Sequence, residues 1–443
     1  MNTLPLVHGH GAGGPFAFIV GSVISVEAFL GDVAQVAALL PQRRYLVNLC
    51  TDRYKFSVGF GAALVRGQVT LLPPNQTPDL LAQIESDYDR PYALVDDRTS
   101  CAPLRTCAFP ALDRTRGTQP IPLVDARQTA AIVFTSGSTG RPVANAKTWG
   151  ALAEGARAEL ERLPVAGPGL CLVGTVPPQH MYGFESTVLL VMQGGLAMHS
   201  GRPFYPADVH AALDSVRRPR ALVTTPIHLR ALLAEAAALP AVDLVLCATA
   251  PLSPQLAADA EARFRSPLVE IYGCTEAGQV ATRRTVQSEE WTVLPDLELS
   301  KVDECTWVQG PRLNQPVLLN DAIEMRGRDR FLLHGRTSDL VNIAGKRTSI
   351  AHLNYQLNSI GGVLDGVFMM PAEPEGTVTR LMALVVAPSL TRERLLAALR
   401  ERVDAAFLPR PLHFVARLPR NATGKLPAQA LAPLLDEAMS RVE

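Results

Sequence analysis

From about residue 16 to residue 250, short apolar runs alternate with stretches of helical periodicity, a pattern that few architectures satisfy. Runs at 44–49, 69–72, 92–95, 132–135, 171–176, 221–224 and 244–248 read as strands, and the patterns at 56–65, 80–86, 149–163, 206–216 and 227–238 read as helices. Strands separated by helices pair in parallel, so the expected fold class is α/β with doubly wound sheets. Around residue 285 the pattern changes to short alternating segments at 298–302, 306–309, 324–326 and 330–333, as expected of a small antiparallel sheet or barrel. After Gly335 the chain begins again, with a helix near 350–359, strands at 363–370 and 381–387, a helix opened by Thr391 as N-cap and a strand at 412–416. The expected organisation is an N-terminal domain over 1–337, with an α/β core to 284 and a β-rich subdomain over 285–337, followed by a small α+β domain over 338–443.

Within the first part, Ala130–Gly140 is a strand-like run that stops at Thr135, Ser136, Gly137, Ser138, Thr139 and Gly140. Such a loop lets successive backbone N–H groups point inward around anionic oxygens, with hydroxyls as further donors. It would sit at the C-terminal end of a strand, where α/β sheets bind ligands. Taken alone it reads equally well as a solvated turn. It is not a Walker loop, because neither Gly137 nor Gly140 leads five residues on to a Gly-Lys pair. Gly9–Gly14 fits G-x-G-x-x-G, but only eight residues precede it, so it is expected to be a mobile loop rather than a dinucleotide site.

Lys plus Arg and Asp plus Glu number 42 each, so no global field gathers nucleic acid or an anionic membrane. The seven cysteines include no C-x-x-C pair, which argues against a disulfide framework and a structural zinc site. The longest apolar stretches, 16–30 and 188–198, are interrupted by Glu27 and Gln193, and no membrane span or basic leader is seen. A soluble, cytoplasmic protein is expected, with no nucleic-acid partner.

Four further segments matter together: Ile271-Tyr-Gly-Cys-Thr-Glu276, Leu319-Asn-Asp321, Gly335-Arg-Thr-Ser-Asp and on to Arg347, and Leu418-Pro-Arg-Asn-Ala-Thr-Gly-Lys425. With the Thr/Ser/Gly loop, their order and spacing resemble the adenylate-forming superfamily of acyl-CoA synthetases, aryl-acid ligases and peptide-synthetase adenylation domains. The resemblance implies that a carboxylic acid and ATP become an acyl adenylate, and that the acyl group passes to a phosphopantetheine thiol of CoA or an acyl carrier protein. It implies that Thr135–Gly140 cradle the departing pyrophosphate, that Thr275 bonds the α-phosphate and that Glu276 binds Mg2+. Asp321 and Arg336 would hold the ribose, and Tyr272 and the loop Ala248, Thr249 and Ala250 would border the nucleotide. Lys425, on a mobile C-terminal domain, would pair with the substrate carboxylate and the α-phosphate as charge builds between them. His180, Gly273 and Cys274 fall where the acyl pocket is expected, with Cys274 as a small wall rather than a nucleophile.

Two positions depart from the family pattern. Where most relatives carry lysine after Gly-x-Pro, this chain has Val143, and the nearest lysine is Lys147, so either Lys147 substitutes or that contact is absent. The hinge position is Ser338 rather than Asp or Lys. The compact length and Lys147-Thr-Trp149 resemble the small aryl-acid ligases of aryl-polyene and xanthomonadin clusters, which favours an aryl substrate of the hydroxybenzoate or cinnamate type. A medium- or long-chain fatty acyl ligase and a non-catalytic nucleotide-binding homologue stay open as alternatives. A kinase or phosphohydrolase would leave the Thr-Gly-Lys segment unexplained.

Overall fold

The computed structural model describes residues 2–19, 21–96, 101–113, 119–136, 142–165, 167–235, 238–303, 305–336, 340–343, 346–370, 381–420 and 426. Two sheets dominate it. One has six strands in the spatial order Pro142–Thr148, Thr129–Ser136, Val69–Leu72, Tyr45–Asn48, Tyr92–Val95 and Arg105–Ala108. Its pairs are parallel except the first, which is a long antiparallel pairing. The second sheet has eleven strands, and its parallel centre runs from Leu268–Cys274 through Leu244–Cys247, Arg220–Thr224, Cys171–Gly174 and Ala197–His199 to Pro15–Ile19. Strands of this centre are apolar almost throughout, as burial on both faces requires.

The doubly wound expectation therefore holds, and the helices lie close to their predicted spans. Trp149–Arg162 begins where Thr148 accepts a hydrogen bond from the Ala151 N–H at 3.2 Å, and Arg392–Arg400 begins at the Thr391 cap. The sheets are tied by buried side chains between them: Phe60 lies against Phe184 with ring centroids 4.9 Å apart and against Trp149 at 6.3 Å. Each such ring, fully buried, contributes about 1.5–3 kcal/mol through apolar burial.

Three features differ from the sequence expectation or lie beyond it. Pro142–Thr148 reads Pro-Val-Ala-Asn-Ala-Lys-Thr, too polar to signal a strand, yet it pairs along the whole of Thr129–Ser136 because it is an edge with one face open. The N-terminal glycine cluster is not free: the His8 N–H donates to the Met192 carbonyl at 2.8 Å, and the Gly13 N–H donates to Glu27 Oε1 at 2.7 Å. The β-rich stretch divides. Gly278–Arg283, Trp291–Val293, Arg330–Arg336 and Asp321–Met325 extend the large sheet antiparallel, while Glu298–Val302, Cys305–Gln309 and Val317–Leu319 form a three-stranded meander. Tyr272, Trp291, Val308, Leu319 and Phe331 share one core and pack the two groups together.

The C-terminal region has a core of its own, in which Leu353 and Leu357 of the helix Ile350–Asn358 meet Phe368, Ala383, Val385 and Leu395. This is the separate C-terminal domain, with Asp365–Met369, Met382–Val386 and Leu412–Phe414 as its sheet. Its Asp365 receives bidentate hydrogen bonds from Arg420 at 2.7 and 2.9 Å and faces Arg230 of the large domain at 3.5 Å.

Candidate active site

The strand ends gather the predicted residues. Leu244–Cys247 and Leu268–Cys274 are parallel neighbours with Cys247 opposite Glu270, so the Ala248–Ala250 loop and, four residues further along, the Thr275–Glu276 turn follow the same ends of adjacent strands. Thr249 takes φ of 83°, a left-handed conformation that a β-branched residue seldom adopts. It occupies a position where the resemblance leads one to expect glycine, so the loop keeps the glycine-type backbone without the glycine.

The Tyr272 hydroxyl donates to Asp321 Oδ2 at 2.6 Å. Asp321 in turn lies opposite Arg336 in the strand pairing, with a bulge before Ile323. Tyr272, Asp321 and the Arg336 backbone are thus brought together from three strands. Gly273 and Glu276 are exposed while Cys274 and Thr275 are half-buried. Burial pushes the Cys274 thiol up to about 12, which keeps it protonated and fits the expected small wall. His180 is half-buried at the start of the helix Met181–Phe184. Thr135 is half-buried at the end of its strand. Gly137, Ser138, Thr139, Gly140, Ser338 and Lys425 lie outside the described residues.

Glu276 stands at the edge of a cavity of about 530 Å³ that also touches Asn145, Lys147, Glu185, Arg312 and Asn320. A single exposed carboxylate beside such a space suits Mg2+, which takes one or two protein oxygens and otherwise keeps phosphate oxygens and water. Among the described residues no three His, Cys, Asp or Glu side chains converge as a self-sufficient metal group.

The sequence leaves the role of Lys147 open and carries no motif that includes Glu185, Glu159 or Arg312. Val143 is 52% exposed whereas Lys147 is only 8% exposed, and the Lys147 ammonium donates to the Glu276 carbonyl oxygen at 2.5 Å. Burial lowers the Lys147 pKa, and the charge of Glu185 opposes that shift. Glu185 opens a turn of π-helix, Glu185–Leu189, inside an otherwise α-helical run, a device that often re-aims side chains at functional sites. Burial pushes Glu185 up to about 7 even though Arg312 and Lys147 pull it down. Glu159, fully buried, is pushed up to about 8 by burial and then by Glu185, and it accepts from the Ser186 hydroxyl at 3.0 Å. No local sequence signal marks these residues, because a lone acidic residue in a helical pattern normally reads as a solvated one.

The raised Glu159 pKa has a testable sign. Below about pH 4.5 the carboxyl is neutral folded and unfolded alike. Between there and about pH 8 the unfolded chain releases the proton first, so stability falls as pH rises, by roughly 1.4 kcal/mol per pH unit at most. Urea unfolding of Glu159→Gln is expected to show a flatter stability profile between pH 5 and pH 9 than the wild type. Profiles of equal slope would mean that Glu159 is ionised in the folded protein.

The family described as AMP-binding enzyme matches residues 60–306. A 4-coumarate–CoA ligase of Rhodobacter capsulatus is 31% identical over 304 residues, spanning 67% of this chain and 75% of that protein. A probable 2-succinylbenzoate–CoA ligase of Mycobacterium tuberculosis is 28% identical over 327 residues, spanning 68% and 83%. In fold, the chain matches the crystal structure of an anthranilate CoA ligase in complex with anthranoyl-AMP, with a TM-score of 0.80 at 14% identity over 99% of each chain. Among the described residues no helix is long and apolar enough to cross a membrane. The chain belongs to the AMP-binding enzyme family and is an AMP-forming acid–thiol ligase that uses ATP to activate a small carboxylic acid.

Proposed function

We propose that the acid is aromatic, of the hydroxybenzoate or cinnamate type, and that the acceptor thiol is the phosphopantetheine of CoA or of an acyl carrier protein. The observation that carries the site assignment is the Tyr272–Asp321 hydrogen bond, which locks the strand Leu268–Cys274, leading into Thr275 and Glu276, to the strand that begins at Asp321. The aryl preference rests on the relatives, whose names specify 4-coumarate, 2-succinylbenzoate and anthranilate. The carrier-protein acceptor draws support from a shorter match, 29% over 103 residues, to an L-allo-isoleucine:holo-peptidyl-carrier-protein ligase of Pseudomonas savastanoi.

In the first half-reaction a carboxylate oxygen attacks the α-phosphorus of ATP and the bond to pyrophosphate breaks. Catalysis of this step is mainly positioning and stabilisation of charge on phosphoryl oxygens. Thr135–Gly140 hold the pyrophosphate, Thr275 the α-phosphate, Asp321 and Arg336 the ribose, and the Ala248–Ala250 loop and Tyr272 the base side. Glu276 would hold Mg2+, which would supply neutralisation of phosphate charge. Lys425 bridges the carboxylate and the α-phosphate. In the second half-reaction the C-terminal domain turns about Ser338. The thiol sulfur then attacks the acyl carbon, its proton leaves to solvent, and AMP departs with the bridging oxygen. His180, Gly273 and Cys274 line the acyl pocket.

The test is pyrophosphate release with ATP and magnesium across benzoates, cinnamates and fatty acids, repeated with CoA and with a holo carrier protein. Aryl acids are expected to give the highest kcat/KM. A fatty acid preferred over every aryl acid would overturn the substrate assignment, and ADP in place of AMP would overturn the half-reaction.

A further inference from the structure

The Glu276 turn has an exposed front and a buried back. Gly273 and Glu276 face outward, whereas Ala277, Gly278 and Gln279 are buried. Three charged side chains from three separate segments, each also bordering the cavity beside Glu276, reach the backbone of that turn. Lys147, on the edge strand Pro142–Thr148, donates to the Glu276 carbonyl at 2.5 Å. Glu185, in the π turn, accepts from the Gln279 N–H at 3.3 Å. Arg312, which follows the strand Cys305–Gln309, donates to the Gln279 carbonyl at 2.5 Å. Arg312 is itself held by Asp296 at 2.5 Å and lies against Gly155, where a Cβ would come within 2.8 Å of its guanidinium. Gly278 takes φ of +75°, and a Cβ there would sit 2.6 Å from Glu185 Oε1, so the turn closes onto the carboxylate with no room for a side chain.

From this geometry we propose that Lys147, Glu185 and Arg312 form a clamp on the main chain of the turn that sets the position of Glu276 for adenylation. The proposal rests on the reading that Glu276 serves the first half-reaction. The three are positioning residues: each acts on the main chain of the turn and none is placed at the reacting atoms. Buried charges are a costly way to hold a turn, since apolar packing of the same volume is often as stable. What they supply is directional contact to named backbone atoms. Lys147 adds a second property, because it couples the edge strand Pro142–Thr148 to the Glu276 turn. It has become an internal tie in place of a phosphate contact.

The test separates the two half-reactions in Lys147→Met, which keeps length and removes the donor. Acid-dependent ATP–pyrophosphate exchange is expected to fall by roughly 10–100-fold in kcat, the scale of a displaced catalytic group, with the acid KM within about twofold of wild type. Thiol transfer from supplied acyl adenylate and AMP affinity by calorimetry are expected to stay at wild-type values. Glu185→Gln, which keeps an acceptor oxygen, is expected to show the same pattern with a smaller loss, and serves if the first variant folds poorly. Exchange at the wild-type rate in both variants, or an equal loss in both half-reactions, overturns the clamp. Wild-type protein in the same assay keeps the two ideas apart: absence of exchange there overturns the role of the site, whereas variants equal to an active wild type overturn only the clamp.

Discussion

Lys425→Ala is expected to lower acid-dependent pyrophosphate release by ~10²–10³-fold, the scale of losing one preorganised donor to a developing oxyanion. The reason is the charge that accumulates between the entering carboxylate and the α-phosphate. An ammonium on a flexible stem can meet both, and a C-terminal domain with its own core can deliver and withdraw it. The thermal midpoint should stay close to wild type, and thiol transfer from supplied acyl adenylate should be spared. Pyrophosphate release near the wild-type rate would remove Lys425 from the adenylation step.

Arg53→Met is expected to destabilise the fold by about 3–4 kcal/mol, measured by chemical denaturation. Arg53 is fully buried at the start of the helix Arg53–Val65, yet its guanidinium bonds mainly to carbonyls: Gly174 at 3.1 Å, Val176 at 2.8 Å, His199 at 3.4 Å and Gly201 at 2.8 Å, with Thr187 Oγ1 at 2.9 Å. These acceptors lie around the ends of strands in the large sheet, while the helix follows a strand of the six-stranded one, so one side chain crosslinks the two. Burial lowers its pKa to about 10, which leaves it charged at neutral pH. Methionine removes the cost of burying the charge but strands several buried carbonyls, at about 1–3 kcal/mol each before relaxation. A loss below about 1 kcal/mol would show that water or repacking satisfies those carbonyls.

The segments proposed for the nucleotide side of the site stand out in the sequence because they are short and come in a fixed order. Tyr272 to Glu276 and Asn320-Asp321 could be placed before any fold was known, and the structure joins them through one hydrogen bond. The parallel core was legible for a similar local reason, since strands such as Val69–Leu72 and Leu244–Cys247 are unbroken apolar runs flanked by helices. The support behind the site was not legible. Arg53, Glu159, Glu185 and Arg312 are each separated by many residues from the groups they contact, and no local pattern distinguishes a buried charge with distant partners from a solvated one. Within 16–30 the apolar stretch concealed a hairpin, Pro15–Ile19 with Ser22–Ser25, running straight into the helix Val26–Leu39. Hydrophobicity alone does not mark where one element yields to the next. The strand Pro142–Thr148 was hidden for the opposite reason, since its polar residues face a cavity and not a core.

The central claim is that the acid is activated through a bond between its own oxygen and the α-phosphorus of ATP. An accepted aryl acid labelled with ¹⁸O in both carboxylate oxygens, turned over with ATP and CoA, tests it directly by mass spectrometry of the nucleotide product. The account predicts AMP carrying one ¹⁸O per turnover, because the bridging oxygen leaves with AMP when the thiol attacks. Unlabelled AMP, or ADP as the product, would contradict it.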